Sequence, residues 1–206
     1  MLVKICGIMT AEAALAAKRH GADLIGFVFA ASRRRIDVAG AAAIARQVSG
    51  VGKVGVFVGQ PLAEVREIAE RCRLDIVQLH GDEPAEYCQA VGRPVIKAIR
   101  AGSGLELAQL AAFPADWLLL DSYLPGQPGG TGVAFDWRQA QAAVAGLGRP
   151  FLVAGGLNAD NVGEAIRVLR PAGVDVSGGV ETDGVKDEEK IRRFVTAAKN
   201  KGEEAC

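Results

Sequence analysis

Eight short apolar runs rich in β-branched residues recur along this chain, each followed by a longer segment with helical spacing, and nothing else limits the fold as strongly. Strands that alternate with helices pair in parallel, because each helix carries the chain back to the edge where the next strand starts. The predicted strands are Leu2 to Cys6, Leu24 to Phe29, Lys53 to Val58, Ile76 to His80, Val95 to Ile99, Trp117 to Asp121, Phe151 to Ala154 and Val174 to Ser177. The predicted helices are Ala11 to Arg19, Val38 to Val48, Leu62 to Arg71, Pro84 to Val91, Gly104 to Ala111, Trp137 to Ala145, Ala159 to Leu169 and Asp187 to Lys199.

Eight such units in 206 residues predict an α/β protein, a (β/α)8 TIM barrel forming one domain over residues 1–206. That is shorter than the ~250 residues usual for the fold. A doubly wound open sheet is the structural alternative, although about five or six strands would be more usual there.

The helix ends agree with this register. Thr10 stands as an N-cap before Ala11, and Gly21 follows the first helix where a left-handed residue is favoured. His20 then reads as a last-turn residue facing the helix dipole. The stretch from Asp121 to Gly132 is long and rich in Gly and Pro, and reads either as a mobile active-site loop or as a plain surface connection. No internal repeat is evident, and the tail from Lys199 to Cys206 reads as a solvated end.

Composition excludes several classes of partner. The 24 basic and 24 acidic residues balance, and the only basic tract is the triplet Arg33, Arg34 and Arg35, so no nucleic acid is expected. No apolar run approaches the ~18 residues of a spanning helix, and no signal-peptide pattern follows Met1, which predicts a soluble, cytoplasmic protein with no membrane partner. Cys6, Cys72, Cys88 and Cys206 lack CxxC spacing and form no ligand pattern with His20 and His80. Free thiols and no metal are expected.

In a barrel of this kind chemistry sits at the C-terminal ends of the strands, where the βα loops converge. Cys6 ends the first strand, His80 the fourth, Asp121 the sixth and Ser177 the eighth. Each has a bland reading as well: a buried cysteine is a small hydrophobe, and a strand-end histidine is often a satisfied structural group. Asp175 lies two residues before Ser177 on the same face, as a structural carboxylate or a substrate contact. Gly155 and Gly156 follow the seventh strand, and Gly178 and Gly179 follow Ser177 after the eighth. Backbone amides in two such neighbouring loops can surround an anion, which predicts a phosphorylated small molecule as ligand.

The segments KICGI, GFVF, SRRRI, VGVFV, QLHG, LLLDS, GGTG, FDW, AGGLN and DVSGGVE, in this order, resemble those of the phosphoribosylanthranilate isomerase family across essentially the whole chain. The resemblance implies an aldose-ketose type rearrangement in tryptophan biosynthesis that needs no cofactor and no metal. It converts N-(5-phosphoribosyl)anthranilate to 1-(2-carboxyphenylamino)-1-deoxyribulose 5-phosphate. By motif it makes Cys6 the general base and Asp121 the general acid, and aligns Arg34 with the arginine that holds the anthranilate carboxylate, with Arg33 and Arg35 flanking it. His80 and Asp175 stand as further substrate contacts. Gly155, Gly156, Ser177, Gly178 and Gly179 stand as the phosphate site. Where the family commonly carries a second serine, this chain has Gly178, and binding then rests on backbone donors.

Such chemistry asks Cys6 to be shifted down from a thiol's usual value of about 8.5, and Asp121 up from about 3.9. Local positive potential would favour the Cys6 thiolate; Lys4 shares the Cys6 face of its strand, which does not by itself put the ammonium at the thiol. Another phosphosugar isomerase or epimerase on the same barrel, or a non-catalytic phospholigand-binding protein, are the alternatives. The chain is expected to act as a monomer or a homodimer.

Overall fold

The computed structural model describes residues 1–100, 112–121 and 137–204. Eight parallel strands close into a barrel in sequence order. They are β1 (Leu2–Cys6), β2 (Leu24–Val28), β3 (Gly52–Phe57), β4 (Ile76–Leu79), β5 (Val95–Arg100), β6 (Trp117–Asp121), β7 (Phe151–Val153) and β8 (Gly173–Val176). The ladder between β8 and β1 rules out the open sheet. Around the strands lie α1 (Ala11–Arg19), α2 (Val38–Gln47), α3 (Leu62–Arg71), α4 (Ala85–Ala90), α5 (Trp137–Ala145), α6 (Val162–Leu169) and α7 (Glu188–Glu204). The helix expected at 104–111, the loop expected at 122–132 and Cys206 lie outside the described residues.

Thr10 caps α1 by accepting from the Ala13 amide, and Gly21 takes the left-handed φ of 89°. Other element ends differ from expectation for local reasons. Helix α6 starts at Val162 and not at Ala159, because the Asn158 and Asn161 side chains bond the backbone of residues 158 to 161 into a turn. The C-terminal stretch past Lys199 is helical to Glu204. Two short strands absent from the sequence reading, β9 (Glu181–Thr182) and β10 (Val185–Lys186), form a hairpin after β8. It turns at Asp183 and Gly184, both left-handed.

Because the strands are covered on both faces, their apolar runs are nearly continuous. Outward side chains such as Ile5, Phe27, Leu79, Leu118 and Val153 share one core with helix residues including Ala14, Ile44, Val65, Ile166 and Phe194. Inward side chains Val54, Ile96, Ala98, Leu119, Leu152 and Ala154 form a smaller core inside the ring. The same inward register carries polar groups. Lys4 pairs with Leu24 and Asp175, Cys6 with Gly26, and Gln78 with Val56 and Ile96.

A repeated clamp closes the opposite, N-terminal face. Asp23 accepts from the Val3 amide, Asp75 from that of Lys53 and Asp116 from that of Val95, at 2.7, 2.8 and 2.8 Å. Each aspartate's own amide donates back to the carbonyl of the same partner. Three even-numbered strands are thereby tied to the odd-numbered strands before them, a regularity that the uneven spacing of the aspartates hides in the sequence.

Candidate active site

The site is built from the inward residues of β1, β2 and β8. Lys4 is fully buried, and its Nζ donates to Asp175 Oδ1 at 3.0 Å. Gly26 on β2 provides the room: a Cβ there would lie 3.0 Å from Cys6 Sγ and 3.1 Å from Lys4 Nζ. Thiol and ammonium thus meet over bare backbone. Burial alone would lower the Lys4 value, but the Asp175 carboxylate and the Cys6 thiol prevail and raise it, so the side chain stays a cation. Burial pushes the Cys6 thiol up; Lys4 opposes this and Asp175 adds to it. The downward shift expected for Cys6 is therefore not found, because desolvation of the thiolate outweighs the ammonium groups of Lys4 and Lys186.

The loop after β1 turns at Gly7, whose φ of 77° is left-handed. A Cβ there would meet Arg34 Cδ at 2.5 Å, so glycine also lets the arginine pass. Of the triplet, Arg34 is buried while Arg33 and Arg35 are exposed. Arg34 lends Nε and Nη2 to the two oxygens of Glu181 at 2.6 and 3.0 Å, a bidentate pair that fixes the guanidinium plane. Glu181 also accepts from Arg33 and from Lys186. Burial works upward on Glu181, yet its bonds from Arg34 and Lys186 hold the carboxyl below its usual range. Glu181 and Lys186 belong to the hairpin that the sequence reading missed.

Ser177 donates to the Cys6 carbonyl at 2.9 Å and accepts from Lys186. Its hydroxyl thus ties the end of β1 to β8, one residue before the 3₁₀ turn Gly178–Val180, whose Val180 amide donates to the Ser177 carbonyl. A Cβ on Gly179 would come within 1.9 Å of the Leu157 carbonyl, so the loops after β7 and β8 touch through that glycine. Gly155 and Gly156 both have left-handed φ, 85° and 63°. A Cβ on Gly178 would lie 3.2 Å from Arg34 Nη2, which puts this position between the glycine loops and the arginine.

Asp121 stands elsewhere on the ring. Between it and Cys6 lie β7 and β8 on one side and four strands on the other. His80 Nε2 bonds Asp121 Oδ2 at 3.2 Å, and Gln78 Nε2 bonds His80 Nδ1 at 2.9 Å. Gln78 is buried and its Oε1 has no partner. Leaving such an oxygen unpaired costs about 1–3 kcal/mol. Below this chain a buried pair holds the loop: Lys97 donates to Glu83 Oε2 at 2.7 Å and to the Gly81 carbonyl at 2.5 Å. Glu83 in turn accepts from the amides of Gly59 and Gly81. Among the described residues, no group of three or more His, Cys, Asp or Glu side chains could hold a metal.

The chain that brings Cys6, Asp121, Arg34 and the glycine loops to one barrel also matches a known family along its sequence. The family model for N-(5′-phosphoribosyl)anthranilate isomerase matches residues 3–197. The chain belongs to that family. It is 50% identical over 201 residues to the N-(5′-phosphoribosyl)anthranilate isomerase of Pseudomonas putida, covering 95% of this chain and 96% of the relative. The isomerase from Thermus thermophilus superposes with a TM-score of 0.87 at 41% identity, covering 97% of this chain and 99% of that one. A third isomerase, solved in complex with reduced 1-(o-carboxyphenylamino)-1-deoxyribulose 5-phosphate, superposes with a TM-score of 0.84 at 36% identity, over 97% and 99% of the two chains. Among the described residues, no helix is long and apolar enough to cross a membrane.

Proposed function

We propose that this chain is the isomerase that converts N-(5-phosphoribosyl)anthranilate to 1-(2-carboxyphenylamino)-1-deoxyribulose 5-phosphate, with Asp121 as general acid and Cys6 as general base. The observation that carries the assignment of roles is their placement: a thiol against a buried ammonium and a carboxyl bonded to a histidine, at strand ends on separated parts of one barrel mouth.

Asp121 gives its proton to the ribose ring oxygen. The C1′–O bond breaks with its electron pair going to that oxygen, and the anthranilate nitrogen supplies the pair that forms C1′=N. The cationic Schiff base acidifies C2′, and the Cys6 thiolate takes that proton to leave an enolamine. Tautomerisation of the enolamine gives the ketone. Lys4 stabilises the thiolate against the cost of burial, and Asp175 keeps Lys4 in place.

Substrate placement follows from the same geometry. The amides of Gly155, Gly156, Gly178 and Gly179 take the phosphate, with the Ser177 backbone beside them. Glu181 uses the Nε edge of Arg34, which leaves the remaining nitrogen, Nη1, for the anthranilate carboxylate. A cytoplasmic monomer or homodimer with a small phosphorylated substrate fits this reading. The test is turnover of the fluorescent anthranilate substrate by wild type, Cys6→Ser and Asp121→Asn. Each variant should lose about 10²–10⁴-fold in kcat. Unchanged turnover in both would overturn the assignment.

A further inference from the structure

Gln78 is a buried carboxamide on the inner face of β4, paired in register with the apolar residues Val56 and Ile96. Its Nε2 is bonded to His80 Nδ1, while its Oε1 is buried without a partner. An apolar side chain would fill this layer with no unpaired oxygen. A glutamine with one end unsatisfied is explained by what its other end does.

A neutral imidazole carries hydrogen on one nitrogen only. Because the Gln78 amide donates to Nδ1, that nitrogen must present its lone pair, and the hydrogen goes to Nε2. Nε2 faces Asp121 Oδ2 at 3.2 Å and donates to it. A carboxylic acid has one accepting oxygen and one hydroxyl oxygen. With Oδ2 committed as acceptor, the acidic hydrogen is left to Oδ1.

We infer that Gln78 is a positioning residue for the acid half of the reaction, fixing the His80 tautomer so that Asp121 carries its transferable proton on Oδ1. The inference rests on the reading of Asp121 as general acid and adds what aims it. When Oδ1 has delivered its proton to the ring oxygen, the carboxylate left behind keeps the Nε2–H bond, and no other group need move. Substitution at 78 leaves in place the Lys4–Asp175 pair of β1 and β8 and the Glu83–Lys97 pair of the loop after β4.

The chain has two histidines, so nitrogen-15 spectra of histidine-labelled protein resolve His80 once His20→Gln identifies the other signal. Wild type should show neutral His80 with its hydrogen on Nε2. Gln78→Glu, which offers Nδ1 an acceptor, should bring hydrogen to Nδ1, and Gln78→Met should release the preference. In both, kcat should fall by about 10- to 100-fold with KM nearly unchanged, as expected for a misaimed proton donor. An Nδ1–H tautomer in the wild type, which needs no variant to fold, would overturn the inference, as would wild-type kcat in both variants. If Asp121→Asn keeps its activity, the acid assignment itself fails; if Asp121→Asn is inactive and His80 holds the wrong tautomer, only the role of Gln78 fails.

Discussion

Replacing Gly26 by alanine adds one methyl group at the point where the Cys6 thiol and the Lys4 ammonium meet. The new Cβ would lie 3.0 Å from Sγ, 3.1 Å from Nζ and 3.2 Å from the Cys6 Cα. Comfortable carbon contacts are about 3.5–4.0 Å, so all three atoms must give. The ammonium and thiol can swing aside, but the Cα belongs to the β1 ladder and cannot. Overpacking of this kind costs about 1–3 kcal/mol of stability, which leaves the barrel folded. The larger consequence is electrostatic. At an effective dielectric constant near 20, each ångström added to a thiolate–ammonium separation on the order of 4 Å removes about 0.8 kcal/mol of attraction. That corresponds to roughly fourfold less thiolate. The assay is alkylation of Cys6 by iodoacetamide as a function of pH, followed on the Cys6 peptide by mass spectrometry so that the other cysteines do not interfere. Gly26→Ala should alkylate more slowly at neutral pH, with kcat lowered in parallel and the thermal transition still cooperative. Alkylation and turnover identical to wild type would refute the idea that the ammonium sustains the thiolate.

Gly179→Ala puts a methyl group 1.9 Å from the Leu157 carbonyl, a backbone atom, and should part the two glycine loops; steady-state kinetics should show KM raised by about tenfold or more. Gly178→Ala meets side-chain ends only, Arg34 Nη2 at 3.2 Å and Arg33 Nη2 at 3.9 Å, and should have a smaller effect, so equal KM values would contradict this account of the phosphate site. Although burial pushes Glu83 upward, its bond from Lys97 and the Gly59 amide hold it below the usual carboxylate value. Because the folded state binds this proton less readily, the resulting stability is complete above about pH 4.3, the unfolded value, and is lost as pH falls through the folded one. Glu83→Gln should therefore lower the urea midpoint at pH 7, by about 3 kcal/mol in free energy if Lys97 is left unpaired, and the gap should narrow in acid; a gap independent of pH would refute it. Asp116→Ala removes the clamp on Val95 and should cost about 1–2 kcal/mol in urea melts while turnover is unchanged.

Where strands are bounded by Gly or Asp, as β1 and β6 are, the chain's own punctuation gives their limits to the residue. Helix α6 was misjudged because Ala159 has helical propensity, but two asparagine side chains compete for its backbone. The β9–β10 hairpin was invisible, since two strands of two residues carry no periodicity, and with it went Glu181 and Lys186. Gln78 is legible in the same way as Lys4. Each lies two residues before a strand-end candidate, Cys6 or His80, so the period of two already puts it on the inner face of its strand. What no pattern reveals is that Gly26, on a neighbouring strand, is the surface on which thiol and ammonium meet, or that Glu181 draws Arg34, Arg33 and Lys186 together. Those depend on register across the barrel. The thiol's upward shift is hidden for the same reason: the balance between burial and the charges of Lys4, Lys186 and Asp175 is a property of the packed site.

The division of labour between Cys6 and Asp121 is tested most directly by single-turnover rates with substrate deuterated at C2′. Breaking that C–H bond is the step assigned to Cys6, whereas Asp121 acts earlier, on the ring oxygen. Cys6→Ser should therefore be slow with a large primary isotope effect, and Asp121→Asn should be slow with the effect suppressed, because ring opening then limits the rate. An isotope effect that survives in Asp121→Asn and vanishes in Cys6→Ser would contradict the assignment.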